Sequence, residues 1–234
     1  MKKTLLLILS IVTLVAVTGC VSKEKKAAKL IEKELSKTLY DFDSYQPIET
    51  VVVEAKSTKY NDSACWNKAA VLAYAMEKST VAFKEADRAR ENMLIWGRPT
   101  SYSSSYSDNN YHKYKTQYIE ELENANSSMT VVWVLANALH EKVGKLDTTQ
   151  TVGWEVTHSF RCKTKGGSAC IAHYRYILTK DFKSVLFHED TESDESKQIY
   201  SVLEAVTDMN NFSSCSEESI EEMRTTIERL KVTL

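Results

Sequence analysis

The sequence predicts an α+β fold: a small antiparallel β-meander with packing helices and a long inserted antiparallel helical hairpin. Three observations point there. Two long stretches, Trp66 to Ile95 and Tyr111 to Val143, contain no glycine or proline and read as helices. From Gly153 onward the apolar period switches to two, the spacing of a half-buried strand. Six glycines and two prolines, Pro47 and Pro99, in 234 residues are too few for a many-turned β-sandwich.

The chain opens with Lys2 and Lys3, followed by an apolar run from Leu5 to Val17 broken only by Ser10 and Thr13, then Val17-Thr18-Gly19-Cys20. A basic start, a short apolar core and small residues at a cut point read as a secretory signal. The run is shorter than the roughly 20 residues a membrane-spanning helix needs. The last four residues resemble a bacterial lipobox. That resemblance implies removal of residues 1–19 and a diacylglycerol on the Cys20 thiol. Each buried methylene then contributes about 0.8 kcal/mol, so such an anchor is effectively permanent. Val21 is not the aspartate associated with inner-membrane retention, and this favours an outer-membrane address in the cell envelope. Residues 20–234 are read as one lipid-anchored domain, with the hairpin at 63–145, the meander at 152–190 and C-terminal helices at 195–232.

Residues 23–39 place Ala27, Leu30, Ile31 and Leu35 on one side of a short amphipathic helix. Pro47 disfavours helix before it, so Asp41 to Gln46 is a connector. Ile48 to Ala55, β-branched from Thr50 to Val53, is the first strand. Asp62 or Ser63 caps the first long helix. A Ser/Tyr-rich loop holding Tyr102 and Tyr106 runs from Gly97 to Asn110, and Asp108 or Asn109 caps the second. In that helix Tyr111, Tyr114, Tyr118, Leu122, Ala125, Met129, Val132, Ala136, Leu139 and Val143 recur at spacings of three and four. Trp154, Val156, His158, Phe160 and Cys162 alternate with polar residues. Cys170, Ala172, Tyr174, Tyr176 and Leu178 follow after Gly166-Gly167, and Ser184 to His188 forms a third strand. The first strand can join this meander, leaving the hairpin inserted between strands one and two. Ile199, Val202, Leu203 and Val206, then Ile220, Met223, Ile227 and Leu230, mark the closing helices.

Four cysteines remain beyond Cys20, an even number in an exported chain, which is consistent with disulfides. Cys162 and Cys170 flank a hairpin loop and can share one face, so a bridge between them is geometrically natural. Cys65 and Cys215 are then left to each other, or all four stay reduced. Their spacing does not suit a zinc site.

Two stretches stand together. One is Asp41-Phe42-Asp43-Ser44-Tyr45-Gln46-Pro47-Ile48-Glu49-Thr50. The other is Gly153-Trp154-Glu155-Val156-Thr157-His158-Ser159-Phe160-Arg161-Cys162-Lys163, with Gly166-Gly167 and Asp181-Phe182-Lys183 after it. They resemble a group of lipoproteins from gut-type Bacteroidales bacteria to which no activity is assigned. The resemblance covers both ends of the mature chain and less of the helical middle. It implies architecture and address, and no catalytic residues.

No constellation specifies a reaction. No serine sits in a glycine-flanked elbow, the acidic residues fall mainly in helix-surface runs, and Gly166-Gly167 fits a hairpin turn. Acidic and basic residues are mixed and the net charge is −2, without the clustered basic face of a nucleic-acid binder. With Cys162 opposite Cys170, His158 falls opposite Tyr174, and His188 can flank Tyr174 from the third strand. A metal between His158 and His188, near Glu189 or Asp190, lacks a third ligand, and strand histidines commonly only hydrogen-bond. No metal or cofactor is expected. The expected function is a non-enzymatic envelope interaction module, bound to the membrane by its lipid and to an envelope protein by its hairpin. The alternative is a small-ligand binder or hydrolase using a pocket around Trp154, His158, Tyr174 and His188. A sheet face covered by helices would argue against that alternative.

Overall fold

The computed structural model describes residues 22–232, and the fold is α+β. Its elements are α1 (Lys23–Thr38), β1 (Gln46–Lys56), α2 (Ser63–Trp96), α3 (Ser105–Gly144), β2 (Thr151–Lys163), β3 (Ala169–Leu178), β4 (Val185–Asp190), α4 (Asp194–Ala205) and α5 (Glu217–Val232), with 3-10 turns at Phe42–Ser44 and Met209–Cys215. The sequence reading takes 20–234 as one domain. The described residues pack as two compact units: the residues up to Ser57 with Thr148–Ser196, and Thr58–Asp147 with the residues from Lys197 onward.

The first unit is a four-stranded antiparallel sheet in the order β1-β2-β3-β4, with α1 on one face. β1 pairs with β2 from Gln46↔Arg161 to Lys56↔Thr151, so the helical hairpin is inserted between two adjacent strands. Strand alternation follows the sequence pattern: Val156, His158, Phe160 and Cys162 are buried, while Thr157, Arg161 and Lys163 are exposed. Pro47 lies at the start of β1, an edge strand, where a missing N–H costs no ladder bond.

The β3–β4 turn is held by polar side chains. Thr179 Oγ1 donates to Asp181 Oδ1 at 2.7 Å, and the Lys183 N–H donates to the same oxygen at 3.2 Å. Phe182 adopts φ 57°, a left-handed conformation that costs a bulky residue about 1 kcal/mol or more. Its ring stacks on Trp154 at 5.6 Å and 11°, an apolar contact that offsets the strain.

The second unit is built on α2 and α3, of 34 and 40 residues. Asp62 caps α2 by accepting from the Cys65 N–H at 2.8 Å, and its other oxygen takes the Lys142 ammonium at 3.1 Å. Gly97, at φ 67°, ends α2 in a conformation that favours glycine. α3 starts earlier than the sequence suggests. Ser104, rather than Asp108 or Asn109, is its cap, accepting from the Ser107 N–H at 3.2 Å. The Ser107 hydroxyl donates to the Trp96 carbonyl at 3.0 Å, satisfying a terminal acceptor of α2. Small side chains Ala69, Ala73, Ala86 and Ala89 on α2 face the stripe Leu122, Ala125, Met129, Val132, Ala136 and Leu139 on α3. Toward the loop end the buried positions become Lys115 and Ile119, and Tyr111, Tyr114 and Tyr118 are half-buried. There α5 brings Ile227 onto Ala86, Ile119 and Leu122.

Gly153 is required for space. A Cβ added there would lie 1.9 Å from the Leu178 carbonyl oxygen in the neighbouring strand. Gly153→Ala is therefore expected to cost at least about 2 kcal/mol, read as a lower urea midpoint. An unchanged midpoint would mean that this strand end shifts freely to admit a methyl group.

Candidate functional site

The residues singled out on the meander do come to one sheet face. The register pairs Cys162 with Cys170, His158 with Tyr174 and Trp154 with Leu178. His188 pairs with Tyr176, one pair along from the expected Tyr174, and stacks on its ring at 5.6 Å. This face is closed. Helix α1 lays Ala27, Leu30, Ile31 and Leu35 on Val156, Phe160, Tyr176 and Leu178, with Tyr45, Trp154 and Tyr174 packed around them. Burying such side chains contributes about 1.5–3 kcal/mol each, so the face serves as the core of its unit.

His158 is completely buried within it. Its Nε2 is 2.9 Å from the Tyr45 hydroxyl and its Nδ1 is 2.9 Å from Thr50 Oγ1. Both ring nitrogens are thus engaged, and neither is presented to a ligand. Burial lowers its pKa, partly opposed by a hydrogen bond to the Glu49 backbone. Burial likewise pushes the Tyr45 hydroxyl up to about 12, so both partners stay neutral at ordinary pH. Trp154 donates Nε1–H to the Lys180 carbonyl at 3.1 Å, and the Lys23 ammonium lies 3.8 Å from its ring centroid. Tyr174 packs edge-on against Phe160. His188 is exposed at the rim. The four residues therefore bound a packed core and do not line a pocket. Among the described residues, no group of three or more His, Cys, Asp and Glu is placed to hold a metal.

The cysteines divide into two cases. Cys162 and Cys170 face one another with sulfurs 3.4 Å apart, and burial raises the Cys162 thiol to about 11. Cys65 and Cys215 are not brought together. Cys215 shares a cavity with Met76, Ser79 and Phe83. At 1.5 Å per residue these lie roughly 16 Å or more along α2 from Cys65, well beyond disulfide reach. All four are free thiols. Cys20 lies outside the described residues, and no described helix is long and apolar enough to cross a membrane.

What the sequence reading passes over is the outer surface of the hairpin. Val71, Tyr74 and Val81 on α2, and Val131 and Val134 on α3, are all more than 45% exposed. Residues 74 and 81 are seven apart and share a helix face, as do 131 and 134 at a spacing of three. Their only sequence signal is that they are apolar residues away from the buried stripe.

No protein-family model, curated protein or solved structure matches the chain.

Two outcomes follow from the sheet. Because the folded-state pKa of His158 is depressed below its ordinary 6.5, the unfolded chain takes up that proton first. Its contribution is complete above about pH 6.5 and is lost as pH falls, by at most about 1.4 kcal/mol per pH unit. Urea unfolding at stepped pH should show this extra acid slope in the wild type and not in His158→Gln; equal slopes would place the imidazole in water. Separately, mild oxidation should close Cys162–Cys170 over a short loop and stabilise the chain by about 2–3 kcal/mol. Cys162→Ser should abolish the difference between oxidised and reduced midpoints, whereas Cys65→Ser should preserve it.

Proposed function

We propose that the chain is a non-enzymatic binding module of the cell envelope. In this reading a lipid on Cys20 holds it to the membrane, the outer membrane being favoured, and the α2–α3 hairpin engages an envelope protein. The observation that carries the reading is the set of apolar side chains on the outer faces of the hairpin: Val71, Tyr74, Val81, Val131 and Val134. Apolar groups recurring on one face of a long helix and turned to solvent are what a partner's apolar surface can cover. The sheet supports the same reading from the other side. The helix-covered face around Trp154, His158, Tyr174 and His188 argues against the alternative of a pocket-based ligand binder or hydrolase. The resemblance to Bacteroidales lipoproteins and the lipobox supply the address.

Both parts are testable in the native membrane. Cys20→Ser should abolish metabolic labelling by a clickable palmitate and release the protein from the membrane fraction; retained labelling would discard the anchor. A photo-crosslinker at position 81 should trap a discrete partner. Tyr74→Glu, an exposed change that leaves the helix intact, should reduce that product at least about tenfold, since a buried interface charge is strongly disfavoured. Equal yields in the two proteins would remove the hairpin face from the function.

A further inference from the structure

Strand β1 forms one edge of the sheet, and among the described residues no strand pairs with its outer side. Along such an edge, alternate residues turn an N–H and a C=O outward, where another chain can pair with them. Folded proteins usually guard these edges with short strands, lysines, prolines or register breaks. The opposite edge, β4, has only six residues. β1 has eleven and is guarded only toward its ends. Its ladder to β2 breaks register between Pro47 and Glu49, and again between Ala55 and Lys56. The run between the breaks, Glu49 to Ala55, keeps a regular register and contains neither lysine nor proline.

That run is symmetric about its middle residue, Val52. Thr50 and Val52 are register partners of the buried His158 and Val156. Val51 and Val53 therefore fall on the other sheet face, and both are exposed there. An identical strand laid antiparallel beside this one, with a two-fold axis at Val52, sets Val51 against the second copy's Val53 and Val53 against its Val51. Thr50 then meets Glu54, and Glu49 meets the small Ala55, so no like charges are opposed. Moving the axis one residue either way shortens the regular overlap and sets one valine against Glu49 or Ala55. Only the Val52 axis uses the whole regular run and joins all four exposed valines in opposing pairs.

We propose that two copies of this chain pair through β1, antiparallel and centred on Val52, joining their sheets into one. The interface is isologous, the same patch serving on both copies. Main-chain hydrogen bonds supply the attraction, and the opposed valines select the register. A ladder over the regular run spans about 24 Å at roughly 3.4 Å per residue. That is a small interface, so association depends on concentration. A lipid anchor on one membrane surface raises the local concentration, but the pairing itself does not require it.

The test uses the full chain in mild detergent, with a photo-crosslinker at the exposed position 49. Light and heavy isotopic preparations are mixed and irradiated. Mixed-isotope crosslinks from position 49 to residues 53–55 are expected, with a dimer mass appearing in sedimentation equilibrium as concentration rises. Val53→Lys, an exposed change, should weaken dimerisation at least about tenfold while leaving circular dichroism unchanged, since a lysine then meets a valine twice in each dimer. Val51→Glu should weaken it similarly, and mixing the two variants should restore dimers, because the introduced charges oppose each other in this register. In native membranes the same crosslinker should trap a second copy of the chain. A monomer at every concentration up to the millimolar range, mixed-isotope crosslinks landing on another element, or a dimer indifferent to Val53→Lys would each overturn the proposal. So would no gain on mixing the variants, or a different protein trapped at position 49. Failure here would leave the hairpin's partner surface standing, because positions 74 and 81 lie on α2.

Discussion

The pairing of β1 with β2 is the constraint on which the rest of the chain depends. Lys56 and Thr151 are register partners, and between them lies the whole helical hairpin. The chain must therefore return to within one strand spacing, about 4.8 Å, of where it left. Two helices run antiparallel are the economical solution, since outgoing and returning paths of roughly 50 and 60 Å nearly cancel. The closure entropy of so long an excursion grows only slowly with its length, and the helices make their own contacts along the way. The β2–β3–β4 meander is local in sequence by comparison. β1 can complete the sheet only once the hairpin has brought its two ends back together.

That sheet has an amphipathic problem at its centre. β2 carries Val156, His158, Phe160 and Cys162 on one face, two hydrocarbon side chains and a thiol beside one imidazole. The chain resolves this within its own unit. Helix α1 supplies the apolar cover, and the 3-10 turn before β1 swings Tyr45 onto one nitrogen while Thr50, the register partner of His158, meets the other. A histidine saturated on both sides by hydroxyls is stable and chemically quiet. Two charged groups buried in the sheet, Arg175 and Glu189, compensate each other at 2.5 Å, and Glu155 lies 3.4 Å from the Arg175 guanidinium. A removed partner would leave a buried charge behind, so these networks bear on stability more than on reactivity.

The period-two run from Trp154 to Cys162 and the stripe from Leu122 to Leu139 were legible because each face meets a single environment along its whole length. The register followed from Cys162 opposite Cys170, and of the two legible caps, Asp62 and Ser63, the structure uses Asp62. The start of α3 was not. The loop offers Ser103, Ser104, Ser107, Asp108 and Asn109, all competent caps, and tertiary contact with the end of α2 selects Ser104. The assignment of Cys65 to Cys215 rests on elimination, and the start of α2, which carries Cys65, lies far from the stretch of that helix that lines a cavity with Cys215. The sheet residues were correctly placed on one face, yet sequence alone does not say whether a short helix such as α1 will cover that face or leave it open. Lys115 was hidden for a related reason. It follows Tyr114 on α3, and a helical wheel drawn from the ten apolar positions turns it partly away from the packed side, whereas the buried stripe at this end of α3 runs through Lys115 and Ile119.

These contrasts separate two kinds of surface. In the sheet unit the His158 imidazole finds two hydroxyls and the Trp154 indole a backbone carbonyl, while the buried Tyr176 hydroxyl on the same covered face has no hydrogen-bond partner among the described residues. Exposed apolar side chains remain in both units, Val51, Val53, Ile171 and Leu186 on the strands and Val71, Tyr74, Val81, Val131 and Val134 on the hairpin. Their unfavourable hydration is a cost that folding alone does not remove. The binding surface proposed on the hairpin draws on that cost, with side chains that recur along one helix face.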